Sequence, residues 1–462
     1  MDTVQKIEKM VISAKEAQAI FENYNQKQID TVVKAIGKAI YDNAEILAIE
    51  AVKESGLGNV ESKIAKQRGC AMSHWYYMRD KKTVGIIDED PINNIVTYAK
   101  AIGVIASITP STNPTTTLCS NAMSALKCRN AVICSPHPKT SKVTTHGAML
   151  MRRELENLGA PENLIQIIEE PTLEATKLLL SLADASIATG GMAMVKSAYS
   201  SGKPSYGVGG GNVQVIIDKG YNADLNMLAS KTVANRNRDY GLPCVCEQCL
   251  IIHNDDEDRI LKYFESNGAF IIKDSNNVDK IRNLLFKQDE NQKFSLNIDM
   301  VGKPAAILAE EIGIKVPKGT KVLIVKAMGD ANTEPLCREK LEPVCSYLTY
   351  KTFDEAVNIA LTNLRVEGIG HTSVIYSTNE ENINKAGEIL PVSRILVNCS
   401  SSNAGGSAFD IGLNPTASLG CGFWGNNSVS ENLTYKHMMQ TTHVARIVPN
   451  AYIPTPEEVW AD

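Results

Sequence analysis

The sequence has no apolar run of the length that a membrane span requires. Its longest apolar runs, such as LIQII and AVIC, fall far short of the roughly 20 residues needed to cross a bilayer. The N-terminal segment also lacks the basic, apolar and small-residue order of a signal peptide. We therefore expect a soluble, cytoplasmic protein that makes no contact with a membrane.

An excess of basic residues is also missing. The formal net charge is −5, whereas proteins that bind nucleic acids in general present basic faces. The remaining composition, 44% hydrophobic and 21% charged residues over 462 positions, is that of a globular chain with two or three domains. These values favour small-molecule partners over nucleic acids.

The eleven cysteines lack the regular spacing of a disulfide framework. Their odd number and scattered positions are typical of a chain kept in a reducing compartment. We expect most of these thiols to be free.

The pattern of apolar residues predicts an α/β fold. Residues 1 to about 80 have helical periodicity, and a hairpin is predicted near residues 83–100, around the turn DEDP. Strand and helix patterns then alternate up to residue 217, and a second alternating unit begins near VQVIID at Val213. Such alternation indicates βαβ units around parallel sheets with helices on both faces.

These patterns divide the chain into three regions. We assign residues 1–217 to a cofactor-binding domain that includes the hairpin, and residues 218–405 to a catalytic domain. Residues 406–462 form a return segment and an oligomerisation tail. The stretch from residue 398 onward is rich in Gly, Ser and Asn, which predicts a structured loop that returns to a site.

Three cysteines, Cys244, Cys246 and Cys249, lie within the short stretch LPCVCEQCLII. If this stretch enters a strand, Cys244 and Cys246 share one face and Cys249 points to the other, so the three cannot bind one metal ion. A disulfide across a single residue would be strained. The remaining alternatives are one nucleophile, Cys244, at the turn after YGLP, or three packed core thiols.

Seven blocks spread along the chain, one of which contains Cys244 itself, favour the interpretation of Cys244 as a nucleophile. They are ITPSTNPT, ICSPHPK, ATGGMAMVKSAYSSGKPSYGVGGGN, LPCVCEQ, EKLEPV, GIGHTS and LGCGFWGNNSVSEN. Together they resemble the CoA-acylating branch of the aldehyde dehydrogenase superfamily over nearly the whole chain. The resemblance is greatest to CoA-dependent succinate-semialdehyde dehydrogenases and to the aldehyde dehydrogenase half of bifunctional alcohol/aldehyde dehydrogenases.

This resemblance implies a fold, a reaction and a set of site residues. The implied fold has a Rossmann-type cofactor domain, an α/β catalytic domain and a small oligomerisation hairpin. The implied reaction converts an aldehyde, CoA and NAD or NADP into an acyl-CoA through a thioester on Cys244, without a metal. The implied catalytic residues are Cys244, the oxyanion donor Asn113 and, as a proton acceptor, His371. The implied cofactor contacts are Thr109, Ser135, His137, Gly190, Gly191 and Glu339.

One feature distinguishes the acylating from the hydrolytic members. Hydrolytic aldehyde dehydrogenases carry a Glu before a pair of glycines, where it activates water against the thioester. Here the corresponding segment is GVGGGN, Gly207 to Asn212, which contains no acid. The resemblance therefore implies that the thioester waits for CoA, with a hydrolytic dehydrogenase and a non-catalytic binding relative as the alternatives.

The sequence restricts the identity of the aldehyde less than it restricts the type of reaction. Arg236 and Arg238 precede Cys244 by eight and six residues and could bind a distal carboxylate or sulfonate, although each could equally be a solvated helix end. Ser401 belongs to a loop that we expect to close the aldehyde pocket. The resemblance favours succinic semialdehyde and leaves acetaldehyde, propionaldehyde and sulfoacetaldehyde open. By the same analogy we expect a homodimer or homotetramer.

Overall fold

The structure, a computed structural model, describes residues 2–291 and 293–461. The chain begins with four helices. The second, at residues 26–42, shows why this region is helical, because Asn25 and Gln28 cap its start. Its buried apolar residues form one stripe: Ile29, Val32, Val33, Ile36 and Ile40. The helices are α1 (Thr3–Phe21), α2 (Gln26–Asp42), α3 (Ala44–Ser55) and α4 (Val60–Met78).

A hairpin follows the helices, as the sequence predicts. Its strands, β1 (Ile86–Asp90) and β2 (Ile95–Ala101), pair in antiparallel fashion around a turn at residues 91–94, so the first three residues of DEDP belong to β1 and not to the turn. The other edge of β2 pairs with a late strand from the tail, Met439–Ala445, to give a three-stranded sheet.

The first large sheet contains five parallel strands in the order β5-β4-β3-β6-β7. Strands β3 and β4 are buried along their whole length, as a sheet covered by helices on both faces requires. The strands are β3 (Val104–Thr109), β4 (Ala131–Pro136), β5 (Ile165–Ile167), β6 (Ala185–Thr189) and β7 (Ser205–Val208). The helices between them are α5 (Pro114–Lys127), α6 (Ser141–Asn157), α7 (Leu173–Leu182) and α8 (Met192–Tyr199).

The second large sheet contains seven parallel strands in the order β10-β13-β14-β9-β8-β15-β16. Its strands are β8 (Val213–Ile217), β9 (Glu247–His253), β10 (Ala269–Ile272), β13 (Val322–Lys326), β14 (Val344–Tyr350), β15 (Ser373–Tyr376) and β16 (Ile395–Val397). A two-stranded ribbon, β11 (Phe286–Gln288) and β12 (Phe294–Leu296), lies between β10 and β13 in the chain. The helices are α9 (Leu225–Asn237), α10 (Glu257–Ser266), α11 (Ser275–Leu285), α12 (Ala305–Glu311), α13 (Phe353–Val366) and α14 (Glu380–Ile389).

The tail leaves the second sheet through a long loop and returns to the hairpin. It ends in β17 (Met439–Ala445), which pairs with β2, and in the short helix α15 (Pro456–Val459). Within residues 2–291 and 293–461, no helix combines the length and the apolar character that crossing a membrane demands.

The change from one sheet to the other falls between β7 and β8, within residues 209–212. Our division at residue 217 placed Val213–Ile217 in the first domain, but this strand pairs with β9 and β15 of the second sheet. The periodicity of VQVII is that of any buried strand, so it does not show which sheet the strand joins. The short connection brings the carboxyl ends of the first sheet toward the amino ends of the second.

Candidate active site

Cys244 lies at the amino end of β9, in the turn that joins α9 to this strand. The strand begins only at Glu247, so Cys244 and Cys246 precede it, contrary to our assumption that the whole cysteine stretch is extended. A hydrogen bond from the Cys246 N–H to the Pro243 carbonyl, 3.0 Å long, closes the turn. Cys244 is partly exposed, whereas Cys246 and Cys249 are buried. The structure thus separates one accessible thiol from two core thiols.

No metal-binding arrangement accompanies these thiols. Among the residues that the structure describes, 2–291 and 293–461, no three His, Cys, Asp or Glu side chains are placed to hold one ion. The Cys246 thiol instead contacts the carbonyl of Asn235 at 3.1 Å, which gives it an ordinary packing role.

His371 lies directly against the nucleophile candidate. Its Nε2 is 3.3 Å from the Cys244 sulfur, although 127 residues separate the two in sequence. Burial, and then the positive charge of Arg394, lowers the pKa of His371 to about 3. The imidazole is therefore neutral at physiological pH and can accept a proton from the thiol.

The thiol is neutral as well. Burial, and then the nearby Glu339 carboxyl group, raises the pKa of Cys244 to about 12. The resting pair is consequently a thiol and an imidazole, not a thiolate and an imidazolium. For the sulfur to act as a nucleophile, the thiol proton would have to be removed as it reacts.

A cavity of about 220 Å³ opens in front of Cys244. Asn113, at the start of α5, and Arg238, just after α9, line it together with Cys244. The loop after β16 closes another side, as we predicted from its composition, and of its serines Ser402 lines the cavity whereas Ser401 does not. The cavity is large enough for a small aldehyde with a polar end.

Two of the predicted substrate contacts lie elsewhere. Arg236 is fully buried, and its guanidinium donates to the carbonyls of Lys340 and Glu342. Ser401 is also fully buried, and its hydroxyl donates to the carbonyl of Val245. Ser401 thus holds the turn that contains Cys244, whereas Arg236 holds the segment before β14, and the structure brings neither of them to the cavity.

The predicted cofactor residues meet in a second cavity, of about 260 Å³, at the carboxyl ends of β3, β4 and β6. The first sheet reverses its strand order between β3 and β6, and such a switch point is where dinucleotides bind to open parallel sheets. The predicted residues among its lining are Thr109, Ser135, His137, Gly190 and Gly191. No atom lies within 4 Å of a Cβ placed on either glycine, so the backbone there is open to a close approach.

Glu339 belongs to the loop before β14 and packs against the glycine-rich connection between the two sheets. It does not line the second cavity. Its Oε1 accepts from the N–H of Gly211 at 2.9 Å, and its Oε2 fills the space beside Gly210. Burial, and then the carboxylate of Glu367, raises the pKa of Glu339 to about 8. At neutral pH the group is therefore mostly a neutral acid.

Two glycines of the segment from Gly207 to Asn212 have close neighbours where a side chain would begin. A Cβ on Gly207 would lie 2.5 Å from Val195 and 2.8 Å from Tyr199. A Cβ on Gly211 would overlap the carbonyl of Cys244 and lie 3.2 Å from His371. An acidic side chain at either position would therefore require its neighbours to move.

Sequence reasoning missed two residues that shape the site. Lys66 lines the cavity and donates to the Asn113 side chain at 2.6 Å. Arg394 is buried and donates to the carbonyl of His371 at 2.9 Å. No local pattern distinguishes these two residues from other lysines and arginines, so only tertiary contacts could reveal them.

Comparison with known families agrees with this geometry. The sequence profile described as the aldehyde dehydrogenase family matches residues 1–281, more than half of the chain. The chain belongs to the aldehyde dehydrogenase family.

Individual relatives extend over nearly its full length. The succinate-semialdehyde dehydrogenase (acetylating) of Clostridium kluyveri is 48% identical over 460 residues, covering 100% of both chains. The crystal structure of an acetylating aldehyde dehydrogenase from Geobacillus thermoglucosidasius matches with a TM-score of 0.92 at 35% identity and covers 98% of each chain. A Rhodopseudomonas palustris propionaldehyde dehydrogenase, solved with bound CoA and an acylated cysteine, matches with a TM-score of 0.85 at 27% identity, covering 95% of this chain and 97% of that one.

The neutral thiol leads to a spectroscopic prediction. Because burial raises the pKa of Cys244 to about 12, the difference in absorbance at 240 nm between the native protein and Cys244→Ser should show no thiolate between pH 6 and about 9. In the urea-unfolded proteins the same difference should titrate near the ordinary cysteine pKa of about 8.5. A step corresponding to one thiolate near pH 6 in the native protein would contradict the assignment of a neutral pair.

The packing around Gly207 leads to a second prediction. Gly207→Ala should destabilise the protein by about 1–3 kcal/mol, because the new methyl group has to displace Val195 or Tyr199. The matched control is Gly387→Ala in α14, where no atom lies within 4 Å of the added Cβ and a stability gain of up to about 1 kcal/mol is expected. Thermal unfolding measures both, and equal stability of the two variants would show that position 207 has free space.

Proposed function

We propose that this aldehyde dehydrogenase oxidises an aldehyde with NAD or NADP and transfers the acyl group to coenzyme A through a thioester on Cys244. The observation that carries the proposal is the pairing of Cys244 with a neutral His371 at 3.3 Å, beside a glycine segment that contains no acid. The acylated cysteine and bound CoA in the similar Rhodopseudomonas palustris enzyme support the same chemistry.

The first half of the reaction builds a thioester. As Cys244 attacks the aldehyde carbon, His371 accepts the thiol proton at Nε2. The amide of Asn113 and the backbone N–H of Cys244 are the donors for the oxygen that becomes negative. A bound nicotinamide would accept the hydride that leaves the same carbon, and oxidation of the adduct produces the thioester.

The second half releases the acyl group. Once His371 has released the proton of the first half to solvent, the thiol of CoA gives its proton to His371 and attacks the thioester carbonyl, and the same oxyanion donors are used again. Collapse of this adduct expels the Cys244 sulfur, which recovers a proton from His371. The balance is one aldehyde, one CoA and one oxidised cofactor consumed for each acyl-CoA, reduced cofactor and proton formed.

The cofactor cavity of the first sheet fits a nicotinamide dinucleotide. Its lining combines strand carboxyl ends with the open backbone of Gly190 and Gly191 at the start of α8, where a pyrophosphate would meet unpaired N–H groups. His137 and Lys139 are exposed at its rim and could accommodate either a ribose hydroxyl or a 2′-phosphate. We therefore propose NAD or NADP, and Glu339 as the contact to the nicotinamide ribose.

The surroundings of Arg238 support an aldehyde with an anionic distal end. Arg238 lines the Cys244 cavity, and its Nε is buried without a hydrogen-bond partner in the described chain. It also lines an adjacent opening of about 600 Å³, the vestibule, to which Lys231 and Lys321 contribute two more positive charges against the single carboxylate of Glu61. A semialdehyde carboxylate would satisfy Arg238, so we propose succinic semialdehyde as the substrate.

We also propose a cytoplasmic homo-oligomer, a homodimer or homotetramer. Strand β17 is exposed along six of its seven residues and forms an edge of the three-stranded sheet. Exposed apolar side chains follow it, namely Ile447, Tyr452, Ile453 and Trp460. An open strand edge next to apolar side chains is suited to pairing with a second copy of the chain.

The reaction is tested by following cofactor reduction with and without CoA. With succinic semialdehyde we expect sustained NADH or NADPH formation only when CoA is present, and loss of activity by at least about 10³-fold in Cys244→Ser. Cys399→Ser, which replaces the other partly exposed thiol, is the matched control. Sustained CoA-independent formation of free acid would instead establish a hydrolytic dehydrogenase, and no turnover of any aldehyde would favour a binding protein.

The substrate assignment is tested by Arg238→Met. Loss of a charge-assisted hydrogen bond should raise KM for succinic semialdehyde by about 10- to 100-fold. The KM for butanal, a neutral aldehyde of the same length, should change little because it has no carboxylate for Arg238 to bind. Parallel kinetics with both aldehydes measure the effect, and an equal loss for both would refute a role for Arg238 in recognising the anionic end.

A further inference from the structure

A buried ion-pair network borders the Cys244 cavity. Asp239 is fully buried, and its Oδ2 accepts from Lys63 at 2.9 Å and from Lys66 at 2.5 Å. Its Oδ1 accepts from the backbone N–H of Asn59 at 2.8 Å. Burial alone would raise the pKa of Asp239, but Lys66 and Lys63 hold it below its ordinary value. The carboxylate is therefore a fixed negative charge five residues before the nucleophile.

Lys66 connects this network to the candidate oxyanion donor. Its Nζ donates to Oδ1 of Asn113 at 2.6 Å and contacts the carbonyl of Thr112 at 3.4 Å. A lysine ammonium has only donors, so the atom of Asn113 that faces Lys66 must be the oxygen. The Asn113 NH₂ group is consequently the end that remains for another acceptor.

The Asn113 side chain has no competing task in its own helix. Asn113 is the residue before α5, but its side chain makes no capping hydrogen bond. Its NH₂ group contacts only the hydroxyl of Thr112, at 3.2 Å, among the hydrogen bonds of the described residues. Asn113, Lys66 and Cys244 all line the same cavity. The amide is thus oriented by Lys66 and not by the helix end.

The backbone is shaped to bring Asp239 to Lys66. Asp239, Tyr240 and Gly241 have φ values of 51°, 53° and 83°, a left-handed run that costs free energy for the two non-glycine residues. On the other side, a Cβ on Gly58 would overlap the Asp239 carboxylate. The left-handed backbone on one side and the glycine on the other thus both place the Asp239 carboxylate beside Lys66.

We propose that Lys66 is a positioning residue for acyl transfer, which holds the Asn113 amide so that its NH₂ group meets the oxyanion on the carbon bonded to Cys244. The inference rests on the proposed function only in requiring acyl transfer at Cys244. It does not depend on the identity of the aldehyde, the cofactor or the acyl acceptor. Lys66 forms no bond to the substrate in this role, and it acts through Asn113.

The test compares two reactions of the same sulfur. Acylation of Cys244 by p-nitrophenyl acetate passes through a tetrahedral oxyanion, and the burst of p-nitrophenolate reports its rate. Alkylation by iodoacetamide is a displacement at a CH₂ group and develops no oxyanion. A residue that positions the oxyanion donor affects the first rate and not the second, whereas general disruption of the turn lowers both.

In Lys66→Met we expect the acylation rate to fall by at least about 10-fold because the amide is no longer oriented. In Asn113→Ala, which removes the donor itself, a fall of about 10²- to 10³-fold is expected. The alkylation rate should stay near that of the wild-type protein in both variants. The double variant should be no slower than Asn113→Ala alone, since Lys66 acts only through the amide.

Lys63→Met is the matched control. Lys63 bonds to the same Asp239 oxygen but has no contact with Asn113, so its ratio of acylation to alkylation should stay within about 3-fold of the wild-type ratio. Lys66→Arg keeps a cationic donor and should recover part of the rate that Lys66→Met loses. Thermal unfolding of each variant verifies that the comparison is made between folded proteins.

Three results would overturn the inference. They are an unchanged acylation rate in Lys66→Met, an equal fall of acylation and alkylation, and a double variant whose losses multiply. A wild-type protein that acylates at Cys244 but oxidises no aldehyde with CoA would refute the proposed function while leaving the role of Lys66 intact. The two failures are therefore distinguishable.

Discussion

The site depends on the chain segment that connects the two sheets. This segment packs so closely against its neighbours that glycines occupy it. Residues 209–211 cross from β7 to β8 with the Glu339 carboxyl group on one side and Cys244 and His371 on the other. Glycine alone lets the backbone come this close to the reacting groups. The same close packing leaves no free space for a side chain at Gly207 or Gly211, so the geometry that brings Cys244 and His371 together also disfavours an acidic residue at these two positions.

Burial sets the protonation states in this arrangement. It raises the pKa of Cys244 to about 12 and lowers that of His371 to about 3, so neither group carries a charge at rest. Charged groups are kept around the pair and not within it: Arg394 lies behind His371, and Lys66 and Asp239 lie beside Asn113. The reaction centre is therefore an uncharged pair surrounded by fixed charges and dipoles, an arrangement suited to stabilising the charge that develops during acyl transfer.

Much of the fold could be predicted from the sequence because its signals are local. The hairpin near residues 83–100, the alternation of strands and helices, and the partly exposed thiol after YGLP depend on residues that are neighbours in the chain. The assignment of VQVII to the first domain failed for the opposite reason. A buried strand has the same pattern in either sheet, and its partners, β9 and β15, come later in the sequence.

The sequence by itself determined the class of fold, the candidate nucleophile and the absence of an acid between Gly207 and Asn212. Only the tertiary structure decided which of two arginines lines the Cys244 cavity. Arg236 and Arg238 differ by two positions, but the first ends inside the protein on backbone carbonyls, and the second opens onto the cavity. Lys66 and Asn113 are 47 residues apart and belong to different helices. Such choices depend on long-range packing and on the left-handed turn at Asp239, which no local periodicity encodes.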